Sequence, residues 1–146
     1  MQNRRRKLPA VIFLENLKMI QIEFDNIPPS VNSAYPSNRI TGRRFISAQY
    51  KAWKEENGYK WLQQKKNAIK GLKGANLPLQ GLLTVEYNFT FPDLRIRDVG
   101  NYEKCLSDFL VEVGIIVDDS QIKRMVLEKY YEKGKPYTVI QIKPYS

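Results

Sequence analysis

Two acidic stretches, Arg97-Asp98-Val99-Gly100-Asn101-Tyr102-Glu103-Lys104 and Gly114-Ile115-Ile116-Val117-Asp118-Asp119, flank one predicted helix. Between them, apolar side chains recur at helical spacing and form a single stripe, comprising Tyr102, Cys105, Leu106, Phe109, Leu110 and Val113. Asn101 is predicted to cap the start of the helix and Gly114 to stop it. Residues 115–117 are predicted to be a short buried segment. The first acidic stretch (residues 97–104) and the second acidic stretch (residues 114–119) meet only if the chain folds back.

The composition favours an anionic partner and excludes several kinds of catalytic site. The chain carries 24 Lys and Arg residues against 15 Asp and Glu residues, which gives a net charge of +9 at pH 7. It contains no histidine, which excludes the Ser-His-Asp triad, the Cys-His pair and histidine-bound zinc. Any catalysis must therefore rely on carboxylates, lysine, tyrosine or a metal ion. Carboxylate ligands suit hard cations such as Mg²⁺ or Mn²⁺.

The length of 146 residues predicts one domain with its own core. The sequence has no long apolar run and no signal-peptide pattern, so we expect a soluble, cytoplasmic protein without a membrane partner. Residues 1–18, with the basic run Arg4-Arg5-Arg6-Lys7, are predicted to be a flexible extension of the folded domain at residues 19–146. This extension either contacts phosphate or has no function, since Met19 can itself serve as a start. Cys105 lies on the apolar stripe and is predicted to be buried rather than nucleophilic.

The pattern of apolar residues predicts a mixed fold. Four segments are predicted to be strands: residues 20–24, 83–91, 122–130 and 137–142. A turn at residues 133–136 joins the last two. Ser47 is predicted to cap a long helix over residues 48–70, in which Asn57-Gly58 favours a break or kink. The predicted fold class is therefore α/β or α+β, with two main helices packed on a mixed β-sheet in a single domain.

Basic side chains cluster on two predicted surface segments. A basic loop or hairpin over residues 38–45 carries three arginines, and the long helix carries Lys51, Lys54, Lys60, Lys65, Lys66 and Lys70. A lysine-rich helix is usually only a solvated face, and contact with DNA is the alternative interpretation. DNA contacts are predicted at Arg39, Arg43, Arg44, Lys51 and Lys54.

The order and spacing of several motifs resemble those of the RusA family of Holliday junction resolvases. The resemblance covers residues 20–142, nearly the whole chain. It includes Pro28-Pro29-Ser30-x-Asn32-x-x-Tyr35 and Gly42-Arg43-x-x-x-Ser47 near the N-terminus. The family then has a D-x-D-N-x-x-K motif opening a helix, followed by G-x-x-x-D-D. Here these are Asp98-Val99-Gly100-Asn101-Tyr102-Glu103-Lys104 and the second acidic stretch.

The resemblance implies a homodimer that binds four-way DNA junctions and cuts two strands with the help of Mg²⁺ or Mn²⁺. It implies that Asp98 and Asp119, with Asp118 beside them, bind the metal, and that Lys104 is essential. The implied catalytic residues are Asp98, Lys104 and Asp119. Carboxylates holding a divalent cation suit phosphodiester cleavage because the cation offsets the negative charge that grows on the phosphate oxygens.

One departure from the family pattern concerns the metal ligands. Gly100 stands where the second acid of the D-x-D motif is expected, and Glu103, one turn along, is a possible substitute. A junction-binding protein with impaired cleavage is therefore the alternative function, and a less selective nuclease for branched or single-stranded DNA is a third. Without the resemblance, Asp98 would be a partner of the helix dipole, and Asp118 and Asp119 a turn pair.

Overall fold

The computed structural model describes residues 19–68 and 77–146, so the predicted extension at residues 1–18 lies outside it. Its strands and helices follow in the order β1 (Ile20–Phe24), α1 (Val31–Ala34), α2 (Ala48–Ala68), β2 (Leu83–Phe91), α3 (Gly100–Glu112), β3 (Ile122–Tyr131) and β4 (Tyr137–Pro144). A short 3-10 helix, Asp119–Gln121, immediately precedes β3. The predicted order of strands and main helices is confirmed, while α1 and the 3-10 helix were not predicted. Among the described residues, no helix is both long enough and apolar enough to cross a membrane.

The four strands form one mixed sheet in the order β1-β4-β2-β3. β4 runs antiparallel to both β1 and β2, whereas β2 and β3 are parallel and are joined through α3. The predicted turn does join β3 to β4, but the two strands do not pair, because β2 lies between them. The backbone N–H of Glu132 donates to the carbonyl of Phe91 at 3.0 Å, which holds this connection across the end of β2.

One face of the sheet packs against the helices and supplies the core. Along β2, the alternate side chains Val85, Tyr87 and Phe89 are fully buried, as the alternating sequence predicts. Phe109 on α3 meets Trp53 on α2 with ring centroids 5.2 Å apart. Truncating a buried aromatic residue of this kind to alanine typically costs about 3–5 kcal/mol. This cluster fixes α3, and with it the two acidic stretches, against the sheet.

The long helix α2 is unbroken from Ala48 to Ala68, so the predicted break at Asn57-Gly58 is wrong. Ser47 caps it as predicted, accepting a hydrogen bond from a backbone N–H in the first turn at 3.1 Å. Asn57 is fully buried; its amide donates to the carbonyl of Trp53 at 2.8 Å and accepts from Asn26 at 3.0 Å. Because these bonds satisfy the buried amide, Asn57 is accommodated inside the helix without a break.

The start of α3 lies in the first acidic stretch, and the second acidic stretch begins just after its end. The helix begins at Gly100, one residue before the predicted cap, and Asn101 lies within its first turn. The cap prediction is wrong because Asp98 supplies the acceptors: its carbonyl accepts from the N–H of Asn101 at 3.0 Å and its carboxylate from that of Gly100 at 3.0 Å. At the other end, Gly114 has a φ of 79° and stops the helix as predicted.

Candidate active site

The chain reverses direction after Gly114 and returns along α3. The N–H groups of Ile115 and Ile116 both donate to the carbonyl of Leu110, at 3.0 and 3.3 Å. Ile115 and Ile116 are buried as predicted, whereas Val117 is half exposed. The return brings Asp119 to Lys104, with 3.8 Å between the ammonium nitrogen and carboxylate Oδ2. The chain therefore folds back and brings one residue of each acidic stretch together, Lys104 from the first and Asp119 from the second.

A second carboxylate, which the sequence analysis did not single out, contacts Lys104 more closely. The Lys104 Nζ donates to Asp108 Oδ1 at 2.9 Å, one turn along α3. This hydrogen bond is the main reason why the pKa of Lys104 is raised above its usual value. Lys104 therefore stays a charged ammonium at neutral pH. The four-residue spacing from Lys104 was a signal for this ion pair in the sequence.

Asp98 occupies a different position, at the entrance to α3. Its Oδ1 accepts the N–H of Gly100, so this carboxylate folds back onto the first turn of its own helix. A Cβ atom added to Gly100 would lie 3.3 Å from the same oxygen, which shows how closely the two residues approach. A carboxylate at a helix N-terminus is stabilised by the positive end of the helix dipole. Asp98 therefore has a local structural role whatever else it binds.

Asp118 also has a local role, at the start of the 3-10 helix. Its Oδ2 accepts the N–H of Ser120 at 2.9 Å. Hydrogen bonding to the Ser120 side chain, and then to this N–H, lowers the pKa of the carboxyl group. Gln121 completes the cap, because its Oε1 accepts the N–H groups of Val117 and Asp118 at 2.7 and 3.1 Å. Asp118 and Asp119 are adjacent in sequence but differ in contacts: Asp118 caps a turn, while Asp119 faces Lys104.

Glu103, the possible substitute for the missing acid, is held on α3. Ser107 donates its hydroxyl proton to Glu103, and Tyr87 OH lies 2.7 Å from the Ser107 oxygen. Because the single proton of Ser107 goes to Glu103, Tyr87 must be the donor in the second bond. Burial raises the pKa of Tyr87 and keeps this phenol protonated. One oxygen of Glu103 is thus already committed to a contact inside the protein.

The carboxylates of the two acidic stretches do not by themselves enclose a metal ion in the part of the chain that the structure describes. Within residues 19–68 and 77–146, no three His, Cys, Asp or Glu side chains form a group able to hold a metal ion. Mg²⁺ usually binds through one or two carboxylates, with water and substrate phosphate completing its coordination. Asp98 and Asp119 carry carboxylate oxygens, which are the kind of donor that Mg²⁺ prefers.

The basic loop predicted at residues 38–45 is anchored beside this site. Its ends pair through Ser37 and Arg44, and the N–H of Asn38 donates to the carbonyl of Arg43 at 2.7 Å. Arg44 Nη1 also donates to the backbone carbonyl of Tyr35 at 3.1 Å. Tyr35 in turn donates its phenol proton to Asp108 Oδ2 at 2.5 Å. Tyr35 therefore links the basic loop to Asp108, the carboxylate that accepts the ammonium of Lys104.

The lysines of α2 differ in how free their side chains are. Lys54 pairs with Glu112 at 2.8 Å, and its ammonium lies 4.8 Å from the centre of the Tyr50 ring. Lys60 pairs with Asp25 and Glu56. Lys51 is exposed, as are Arg39 and Arg43 on the loop. The side chain of Lys66 and the whole of Lys70 lie outside the part of the chain that the structure describes.

Comparisons with known proteins assign the chain to a family. The family described as "Endodeoxyribonuclease RusA" matches residues 27–143, a range that includes both acidic stretches. The "Crossover junction endodeoxyribonuclease rusA" of Enterobacteria phage 82 is 32% identical over 97 residues, which cover 65% of this chain and 70% of the relative. A relative of the same description from Escherichia coli (strain K12) is 31% identical, with the same coverage. One from Aquifex aeolicus is 33% identical over 64 residues, covering 44% of this chain and 51% of the relative. The chain therefore belongs to the RusA family of endodeoxyribonucleases.

Proposed function

We propose that this chain cuts four-way DNA junctions as a metal-dependent endodeoxyribonuclease. The observation that carries the proposal is the meeting of Lys104 and Asp119, 3.8 Å apart, from two motifs at opposite ends of α3. Relatives that are 31–32% identical to this chain are named crossover junction endodeoxyribonucleases. The net charge of +9 suits a polyanionic substrate, and carboxylates beside a lysine in so basic a protein suit cation-assisted chemistry on phosphate.

Each residue of the proposed site has its own role in phosphodiester hydrolysis. A water oxygen forms a bond to phosphorus, the P–O bond to the leaving oxygen breaks, and negative charge grows on the phosphate oxygens. The ammonium of Lys104 stabilises that charge. Asp98 and Asp119 are the proposed ligands of Mg²⁺ or Mn²⁺, with Asp118 adjacent. When bound, such an ion neutralises charge at the phosphate and acts as a Lewis acid.

The basic loop is the proposed contact for the DNA arms. It lies next to the site through Arg44 and Tyr35, and its exposed arginines can bind phosphate. Each phosphate contact contributes about 0.9 to the slope of log K against log salt. Charge reversal at Arg43 (Arg43→Glu) is expected to weaken junction binding and reduce this slope by about one contact. Lys60→Glu makes the same change in net charge at a lysine paired with Asp25, and serves as the control.

A homodimer is the proposed assembly, because a four-way junction needs symmetrical cuts in two strands. Two copies related by a two-fold axis present two equivalent sites, whereas one chain of this size presents one. Sedimentation at micromolar concentration, with and without junction DNA, tests this assembly. A monomer under both conditions would contradict the proposed homodimer.

A second candidate function is junction binding with little cleavage. Gly100 favours it, because the residue supplies no carboxylate where the family motif has its second acid. Glu103 is less able to fill the gap in this structure, since one of its oxygens already accepts the Ser107 hydroxyl. The two functions share a binding surface and differ only in the chemical step.

Cleavage of a synthetic four-way junction in Mg²⁺ or Mn²⁺, with linear duplex DNA as the control, separates these functions. Paired nicks in the junction alone support the resolvase. Tight binding without nicks, even at high Mn²⁺, supports the binding protein, and equal cutting of the duplex indicates a less selective nuclease. Lys104→Ala is expected to abolish cutting while junction affinity changes little. Cutting at the original rate would remove Lys104 from the proposed site.

A further inference from the structure

Asp108 uses both of its carboxylate oxygens in contacts that converge on the site. Oδ1 accepts the ammonium of Lys104 at 2.9 Å, and Oδ2 accepts the phenol of Tyr35 at 2.5 Å. The Asp108 side chain is 29% exposed, against 49% for Lys104. Tyr35 and Asp108 are 73 positions apart in sequence, so this contact is tertiary rather than local.

Tyr35 is itself held on several sides. Its ring packs edge-to-face against Tyr50 with centroids 5.4 Å apart, and Tyr50 donates its hydroxyl to the buried carbonyl of Cys105 at 2.7 Å. The backbone N–H of Tyr35 donates to Val31 and its carbonyl accepts from Arg44. Burial raises the pKa of Tyr35, so that its hydroxyl remains a donor at neutral pH. The phenol therefore offers Asp108 a fixed hydrogen-bond donor.

Such support matters because a lysine side chain does not stay in one place by itself. Fixing a lysine costs up to about 2 kcal/mol of side-chain entropy. An exposed ion pair four residues along a helix contributes only about 0.3–0.5 kcal/mol, which is too little to offset that cost. A carboxylate locked by a tertiary hydrogen bond has already lost its own freedom, so the lysine pairs with a fixed partner. The ammonium is then held on the side of α3 that faces Asp119.

We propose that Tyr35 and Asp108 are positioning residues, which fix the Lys104 ammonium beside Asp119 for its action on the scissile phosphate. This inference rests on the proposed role of Lys104 in cleavage. Neither residue needs to touch DNA or metal for this function. The pair also connects the motif that ends at Tyr35, and the basic loop that follows it, to Lys104 on α3.

Motion of the Lys104 ammonium gives a test that does not depend on cleavage. In full-length protein labelled with ¹⁵N lysine, NMR relaxation of Lys104 Nζ is compared among the original protein, Tyr35→Phe and Asp108→Asn. Both variants are expected to make the ammonium more mobile, while Tyr35→Phe keeps the ring contact with Tyr50. Tyr137→Phe is the matched control, since Tyr137 also donates to a carboxylate, that of Glu23, at 2.6 Å. Unchanged mobility of Lys104 in both site variants would overturn the proposal.

Single-turnover cleavage then tests the functional consequence. Tyr35→Phe is expected to slow junction cutting roughly tenfold, because a misplacement of ~1 Å can cost up to about 100-fold. Junction affinity and thermal stability should change no more than in Tyr137→Phe. A loss in Tyr35→Phe no larger than that in the control would overturn the positioning role. If Lys104→Ala cuts at the original rate, the role of Lys104 fails instead, and the relaxation data still decide whether the pair orders its ammonium.

Discussion

The two acidic stretches on either side of α3 are held in place by different means. The first is held by its own helix, since Asp98 accepts the N–H of Gly100 two residues away. The second begins against α3, where Ile115 and Ile116 donate to Leu110, but its acidic end is held from outside, through the side chain of Gln121. That amide accepts two N–H groups within the turn and donates to the carbonyls of Leu79 and Gly81, each at 2.9 Å. The difference teaches that the first half of the site depends on contacts within α3, whereas the second half also depends on contacts with the segment before β2.

The largest expected effect separates the two adjacent acids of the second stretch. Asp119→Asn should reduce junction cleavage by at least ~100-fold, since even residues that only support metal ligands typically cost 10–100-fold in metal affinity. Asp118→Asn should cost far less, because asparagine also accepts the N–H of Ser120 and caps the turn. Cleavage rates and junction affinities of the two variants, measured side by side, test this contrast. Equal losses would show that Asp118 is a ligand as essential as Asp119.

The next effect tests Gln121, the anchor that holds the second stretch from outside. Gln121→Ala removes four hydrogen bonds and should lower the free energy of unfolding by about 2 kcal/mol, since each bond contributes roughly 0.5–1.5 kcal/mol and part of the loss is recovered by water. Urea unfolding at constant metal concentration measures it. Cleavage should fall as well, because Asp119 loses its fixed position relative to Lys104.

Gln80→Ala is the matched control for the anchor. Gln80 lies in the neighbouring segment and makes one hydrogen bond of its own, to the carbonyl of Pro78 at 3.3 Å. Its loss should leave stability and cleavage nearly unchanged. If the two glutamine variants are equally stable, the second stretch is held by its backbone and not by Gln121.

The same contrast explains which features could be predicted from the sequence. The apolar stripe of α3 and the alternation of β2 depend on burial alone, and burial leaves a periodic pattern. The meeting of Lys104 with Asp119 was expected only through the family resemblance, because no local rule states that the chain folds back. Gln121 was missed because its partners, Leu79 and Gly81, lie about 40 residues earlier. The Tyr35 contact with Asp108 was missed for the same reason.

The smallest predicted effect adds a carboxylate to the first stretch. Gly100→Asp restores the second acid of the family motif, and we expect roughly tenfold faster junction cleavage at low Mg²⁺, equivalent to about 1.4 kcal/mol. A carboxylate at the first position of α3 is also stabilised by the helix dipole. Replacing glycine stabilises the fold further, because it removes backbone freedom from the unfolded chain. Against these gains, the new Cβ lies 3.3 Å from Asp98 Oδ1, so Asp98 must move by a few tenths of an ångström.

Gly100→Ala separates the new carboxylate from the new Cβ atom. Both variants introduce the same contact with Asp98 and a similar gain in helix propensity, but only aspartate adds oxygen ligands. Titration with Mg²⁺ should therefore raise the unfolding temperature of Gly100→Asp more than that of Gly100→Ala, because a ligand that binds only the folded state stabilises it. Cleavage at low metal should increase in Gly100→Asp alone. Equal rates for all three proteins would mean that the first stretch binds its cation without the missing acid, and that Gly100 costs this chain nothing.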